Sequence, residues 1–302
     1  MLSQSPQHLL GWLRFTFDQA IMGMSHWARY TPTHYSQVNQ GLSGTLYISS
    51  LVVEVSLRYI IEGKIKRLTG VLQKLNSFGH DHTVVSTQSS STNLSSLREV
   101  MDYIFVDPPF GNNLMYSELN FITESWLRVF TNNNPEAVVS RTQHKGLLEY
   151  QHLMEECFRE FHQMLKPNHW LNVEFHNSQT KVWNAIQEAI LRAGFMVADV
   201  RTFDKRQGTF NQVTATGSVK QDLIISAYKP RTEFEQQFLA EGGREKGAWE
   251  FVRQHLEQLP VLVEKDGALE VVAERQAYLL YDRMVAFHIQ RLDQFRHGIF
   301  GF

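Results

Sequence analysis

Asp102-Tyr103-Ile104-Phe105-Val106-Asp107-Pro108-Pro109-Phe110-Gly111-Asn112-Asn113 is a short apolar run that stops at an acid, two prolines and an aromatic. Tyr103 to Val106 predict a buried strand, because the residues are β-branched or aromatic and Pro108 cannot continue a ladder. The Asp-Pro-Pro-Phe turn then lies at a strand's carboxyl end, the edge at which open α/β sheets bind ligands. Downstream, Ser117 to Phe130 and Leu147 to Leu165 read as helices, the second ending at Pro167. Trp170 to Phe175 is a strand, Val182 to Ala193 a helix stopped by Gly194, and Phe195 to Val200 a strand. Asp222 to Tyr228 is a further strand, reached without a helix long enough for a parallel crossover. Two such strands pair antiparallel or lie apart. The fold class is α/β, and the order places the Asp107 turn and the His176-Asn177-Ser178 turn on one carboxyl edge.

The chemistry that suits this turn is that of an exocyclic amine. Such a nitrogen is a poor nucleophile, because its lone pair is delocalised into the ring. The Asp107 carboxylate can accept one of its N–H bonds and the Pro108 carbonyl the other, with Pro109 keeping that carbonyl out of a ladder. Phe110 can stack on a base extruded from its helix. The plainer alternative is a proline-rich turn in which Asp107 is an ordinary turn acid.

Asp107-Pro108-Pro109-Phe110 resembles the catalytic motif of amino-methyltransferases that use S-adenosyl-L-methionine to methylate N6 of adenine or N4 of cytosine in DNA. Leu46 to Ser56, Tyr103 to Leu127, Val173 to Pro230 and Trp249 to Gln290 resemble a family of large prokaryotic DNA methylases, in their later part only. The resemblance implies a DNA substrate, S-adenosyl-L-methionine as cofactor, and catalytic roles for Asp107, Pro108, Pro109 and Phe110. An acid before the prolines leans toward adenine. The family also implies a partial Rossmann-like methyltransferase sheet whose last strand is inserted antiparallel, and a place in restriction-modification. Related motifs serve RNA bases and protein amides, so those substrates stay open. So does an inactive nucleic-acid-binding remnant.

With 302 residues and 43% hydrophobic content, the chain can bury a sizeable core as one large domain or two smaller ones. A net charge of -2 and a pI near 6.7 do not announce a nucleic-acid binder. Contact with DNA must therefore come from a local basic surface. A single Cys157 excludes an intramolecular disulfide and a cysteine-based zinc site, fits a reducing cytoplasm, and reads as a small core residue. No run of about 18 apolar residues suggests a membrane span. His80-Asp81-His82 lacks a second ligand pair, so no metal site is expected.

Three segments are expected: a helix-rich part with one strand over 1–78, an α/β core over 79–230, and a helix and hairpin module over 231–302. In the first, Pro6 to Met24 predicts a largely buried helix and Thr45 to Val55 a strand, followed by a helix from Ile60 to Leu75. Leu97 to Val100 predicts a short helix. His176 is a candidate for shaping the base pocket, or else a turn residue capping the next helix with Ser178. Lys205 and Lys220, in a polar loop, are candidates for DNA contact or for plain exposure. The last segment reads as helices over Thr232 to Leu259 broken at Gly242-Gly243, a hairpin turning at Asp266-Gly267, and a helix from Ala273 to Phe295. The glycine-rich cofactor turn of the family is found nowhere in the chain, so the cofactor-binding residues stay unassigned. The expectation is a piece of a longer enzyme, or a subunit that a separate polypeptide completes.

Overall fold

The computed structural model describes residues 7–30, 48–77, 97–112, 114–176, 179–203, 222–240, 245–265 and 268–299. The chain divides into two compact units, one of residues Met1–Gln88 with Asn113–Glu136, the other of Ser89–Asn112 with Ala137–Phe302.

The first unit is helical: α1 (Gln7–Met24), α2 (Leu57–Ser77), α3 (Tyr116–Leu119) and α4 (Phe121–Leu127). Phe17 of α1 meets Trp126 of α4 edge to face, centroids 5.5 Å apart. The Glu136 carboxylate accepts the Ser117 N–H and hydroxyl at 3.0 and 2.6 Å. Three expectations change here. α1 is buried at Ala20 and Ile21, while Leu9, Trp12, Phe15 and Met22 reach solvent. The expected strand over Thr45 to Val55 is, in its described part, a single bridge from Val52 to Arg29. Two backbone bonds secure it, Tyr30 N–H to Leu51 C=O and Val53 N–H to Ala28 C=O, and Leu51 stays exposed. Lacking a sheet to join, an apolar run has no ladder to extend. The helix expected from Ser117 to Phe130 is broken at Asn120 and ends where Arg128 turns left-handed at φ +57°.

The second unit is built on β1 (Met101–Val106), α5 (Leu147–Met164), β2 (Leu165–Phe175), α6 (Thr180–Arg192), β3 (Met196–Phe203) and β4 (Asp222–Tyr228). The sheet order is β1-β2-β4-β3. β1 runs parallel to β2, and β4 is inserted antiparallel to both β2 and β3. The expected order of helices and strands is therefore present, and β4 coincides with the run Asp222 to Tyr228. Alternation assigns the faces. Leu171, Val173, Phe175, Val197, Ile225 and Ala227 point toward α5 and α6, whose Tyr150, Met154, Phe158, Ile186 and Ile190 complete the main core. Cys157 is buried in α5, as expected of a small core residue. Each fully buried large side chain there contributes about 1.5–3 kcal/mol. The opposite face is covered toward the start of β3 by α7 (Thr232–Ala240), α8 (Glu245–Gln258) and α9 (Ala277–Ile299). Phe234, Phe238, Phe251 and Phe287 pack there on Met196, Ala198 and Tyr228. β5 (Leu262–Lys265) and β6 (Ala268–Val271) form the expected hairpin, though Asp266 and Gly267 lie outside the described residues. The break between α7 and α8 falls at residues 241–244 around Gly242-Gly243, also outside them.

The core segment brings further corrections. β1 is not a buried strand: among the described strands it lies at an edge of the sheet, and Tyr103 and Phe105 are each 52% exposed. Leu97 to Val100 is not helical. Glu99 is left-handed at φ +49°, and the Glu99 and Val100 N–H groups bond to the Gln163 and Met164 carbonyls instead. β2 begins earlier than expected and contains Pro167, which the ladder tolerates because β2 bulges against β1 there, with Asn168 at φ +66°. No described helix is long and apolar enough to cross a membrane.

Candidate functional site

β1 delivers Asp107, exposed, at its carboxyl end, followed by buried Pro108 and by half-buried Pro109 and Phe110. The turn is pinned from behind. The Tyr150 hydroxyl, fully buried on α5, donates to the Pro109 carbonyl at 2.6 Å. Burial pushes the Tyr150 hydroxyl up from its ordinary value, so it stays a donor. Gly111, at φ +80°, accepts the Val139 N–H at 3.0 Å, a left-handed position that favours glycine. With the Pro109 carbonyl occupied, the acceptor assigned to the amine remains that of Pro108.

Phe110 meets Phe175, the last residue of β2, edge to face with centroids 5.3 Å apart and planes at 90°. Its centroid also lies 6.2 Å from that of His176. Phe175 in turn packs on Trp183 of α6 at 6.0 Å. The sheet thus brings the Asp107-to-Phe110 turn and His176 together on one carboxyl edge. His176 Nδ1 lies 2.7 Å from a carboxylate oxygen of Asp222, which opens β4 and is itself buried. This neighbour orients the imidazole at the edge. Lys205 and Lys220 lie outside the described residues, as do Asn177 and Ser178.

Sequence reasoning missed Tyr150 and Asp222. Tyr150 sits among apolar positions of α5 and reads as filler, yet a buried phenol needs a partner, and that requirement was the available signal. Asp222 is an acid at the head of an otherwise apolar strand. Its partner His176 lies just past the end of β2, 46 residues earlier in the chain, so spacing could not supply it.

Residues 101–270 match the family model described as DNA methylase. The chain belongs to the DNA methylase family. Among solved structures it is similar to a candidate DNA modification methylase from Thermus thermophilus, at 13% identity and a TM-score of 0.28. That match covers 55% of this chain and 62% of the other, so the chain spans less than two thirds of that relative's length. It is also similar to a candidate exported protein from Bordetella parapertussis at 13% identity and a TM-score of 0.27, covering 72% of this chain and 67% of that one. No curated protein matches the chain.

Proposed function

We propose that the chain carries the target-amine half of a DNA methyltransferase acting on the exocyclic amino group of a flipped base, N6 of adenine in preference to N4 of cytosine. The observation that carries this reading is the exposed Asp107 at the carboxyl end of β1, in a turn held by Tyr150 and seated by Phe110 against Phe175. Asp107 accepts one N–H of the amine and the Pro108 carbonyl the other, which turns the nitrogen lone pair out of conjugation with the ring. The amine sheds a proton as it is alkylated, and Asp107, open to solvent, takes it. Phe110 stacks on the base, and His176, set by Asp222, borders the pocket.

The family implies S-adenosyl-L-methionine as methyl donor. The described residues do not fit it. Among them β1 pairs on one side only, with β2. The crevice that would hold a cofactor lies between neighbouring strands at their carboxyl ends, and among the described strands the motif strand is an edge. The reading this supports is that a separate polypeptide supplies the cofactor half. No step of the reaction is assigned to a cofactor site in this chain.

Calorimetric titration with S-adenosyl-L-methionine, with and without extract from the source cells, tests the first point. Binding is expected only with the completing polypeptide. Methyl transfer assayed in parallel on DNA, RNA and protein should favour DNA. Asp107→Ala should lower transfer about 10²–10³-fold with the fold intact. Transfer by Asp107→Ala at the wild-type rate would sink the assignment, and preference for RNA or a protein amide would move the substrate.

A further inference from the structure

The face of the sheet turned away from α5 and α6 carries rows of side chains in register. Tyr103, Trp170, Tyr228 and Met196 form one row across β1, β2, β4 and β3, Phe105, Asn172, Ser226 and Asp199 the next, and Glu174, Ile224 and Arg201 a third across β2, β4 and β3. The C-terminal helices cover the first row at its β4 and β3 end. Beside them lies an open cleft of about 410 Å³, floored by Trp170, Asn172, Ser226 and Ile224, edged by Asp199 and Arg201, and walled by Leu259, Pro260 and Val272. Its volume is in the range of small-molecule sites, about 300–1,000 Å³.

The lining decides what chemistry fits. Arg201 Nε donates to the Asp199 carboxylate, so the two charges in the cleft are spent on each other. A site neutralised in this way does not select a lone phosphate, carboxylate or ammonium. Asn172 and Ser226 stand directly opposite each other, and no side-chain hydrogen bond ties either to another described residue. Together they offer donors and acceptors side by side, the pattern of a base edge. Trp170 supplies an aromatic surface, half-buried and tilted against Tyr228 at 5.6 Å, and the proline and aliphatic wall faces it. A flat heterocycle with mixed donors and acceptors meets all three demands. Arg201, half-exposed at the rim, keeps further N–H groups for the phosphate attached to that heterocycle.

We propose that this cleft binds a nucleobase, carried on a free nucleotide or on an unpaired stretch of nucleic acid. It is separate from the Asp107 turn. Asn172, the lining residue of β2 nearest the carboxyl edge, precedes His176 by four residues, so the cleft lies roughly 13 Å along β2 from that edge, within reach of a nucleotide one or two removed from the one held there. The choice of a base over another planar polar ring rests on the reading of that edge as a DNA site.

The test uses the whole chain and three probes: a labelled single strand of about 12 nucleotides bearing one photoreactive iodinated pyrimidine, free dAMP, and free dCMP. Crosslinking is expected at the peptide containing Trp170. The pair Asn172→Ala and Ser226→Ala should raise the dissociation constant about tenfold. Arg201→Gln, which leaves the core untouched, should raise it several-fold. Competition by dAMP or dCMP alone identifies a free nucleotide as the source, and binding of the strand only identifies nucleic acid. Wild-type affinity in folded cleft variants, crosslinking elsewhere, or no binding of any probe would overturn the proposal. Nucleotide binding in the cleft without DNA methylation would leave the cleft standing and remove the methyltransferase reading. Methylation lost in Asp107→Ala but unaltered in the cleft variants, with their affinity unaltered too, would do the reverse.

Discussion

Tyr150 is the residue on which the geometry of the Asp107 turn depends most directly. It is fully buried, and its hydroxyl bonds to the Pro109 carbonyl. Tyr150→Phe keeps the ring and its packing while leaving that carbonyl without its phenol. The loss in stability should be about 1 kcal/mol, readable in a urea melt. Methyl transfer by the completed enzyme should fall further than stability does, because a turn displaced by about 1 Å loses about 100-fold. Equal activity in the two proteins would mean that the turn is held by β1 and Gly111 alone. His255 gives a second residue-scale test. Its Nδ1 lies 2.9 Å from the Tyr228 hydroxyl, and burial, helped by the Arg283 charge, lowers its pKa from 6.5 to about 4. The folded chain holds this histidine neutral while the unfolded chain protonates it. Its contribution is therefore present in full above about pH 6.5 and is lost as pH falls toward 4. The loss is about 3 kcal/mol, from a shift of about 2.5 at 1.36 kcal/mol each. Urea midpoints measured between these limits should fall with acidity, and the fall should shrink in His255→Leu combined with Tyr228→Phe. An unchanged slope would assign the acid sensitivity to carboxylates.

Elements were legible where a local pattern alone decides the structure. The apolar run Asp222 to Tyr228 and the stop at Gly194 both fall where the sequence puts them. Partners were not legible. Tyr103 and Phe105 read as buried because they are apolar, yet exposure depends on what lies beside β1, and no local pattern carries that. The same limit hid the exposed residues of α1, and a proline rule hid the start of β2. Of the candidate site, the turn from Asp107 to Phe110 and His176 could be read, whereas Tyr150 and Asp222 reach them only through the fold. Gly194 shows how tightly one element end is specified. At φ +103° it follows α6, and an added Cβ would come 3.1 Å from His162 Nε2. His162 packs edge to face on Phe195 at 5.0 Å, so its ring cannot swing away freely. Gly194→Ala should cost about 1–3 kcal/mol, from a left-handed backbone and a crowded ring together. A melt shifted by less than a few tenths would mean that the α6 to β3 junction relaxes at no cost.

At the scale of the whole molecule, the chain leaves the second unit at Asn112 and returns to it at Ala137. The ends of the excursion are close, since the Val139 N–H reaches the Gly111 carbonyl at 3.0 Å. Residues 113–136 make contacts inside the first unit, Trp126 with Phe17 and Glu136 with Ser117. The two apolar clusters of the sheet draw their buried members from 137 onward, so neither depends on the first unit for its closure. Joining residues 89–112 to 137–302 through about four Gly and Ser residues, a usual loop length, should therefore leave one cooperative urea transition and a native near-ultraviolet spectrum. The Tyr150 bond to Pro109 lies inside this shortened chain and should keep Asp107 where β1 puts it. A broad, probe-dependent transition would show instead that the helical unit is needed to hold the sheet together.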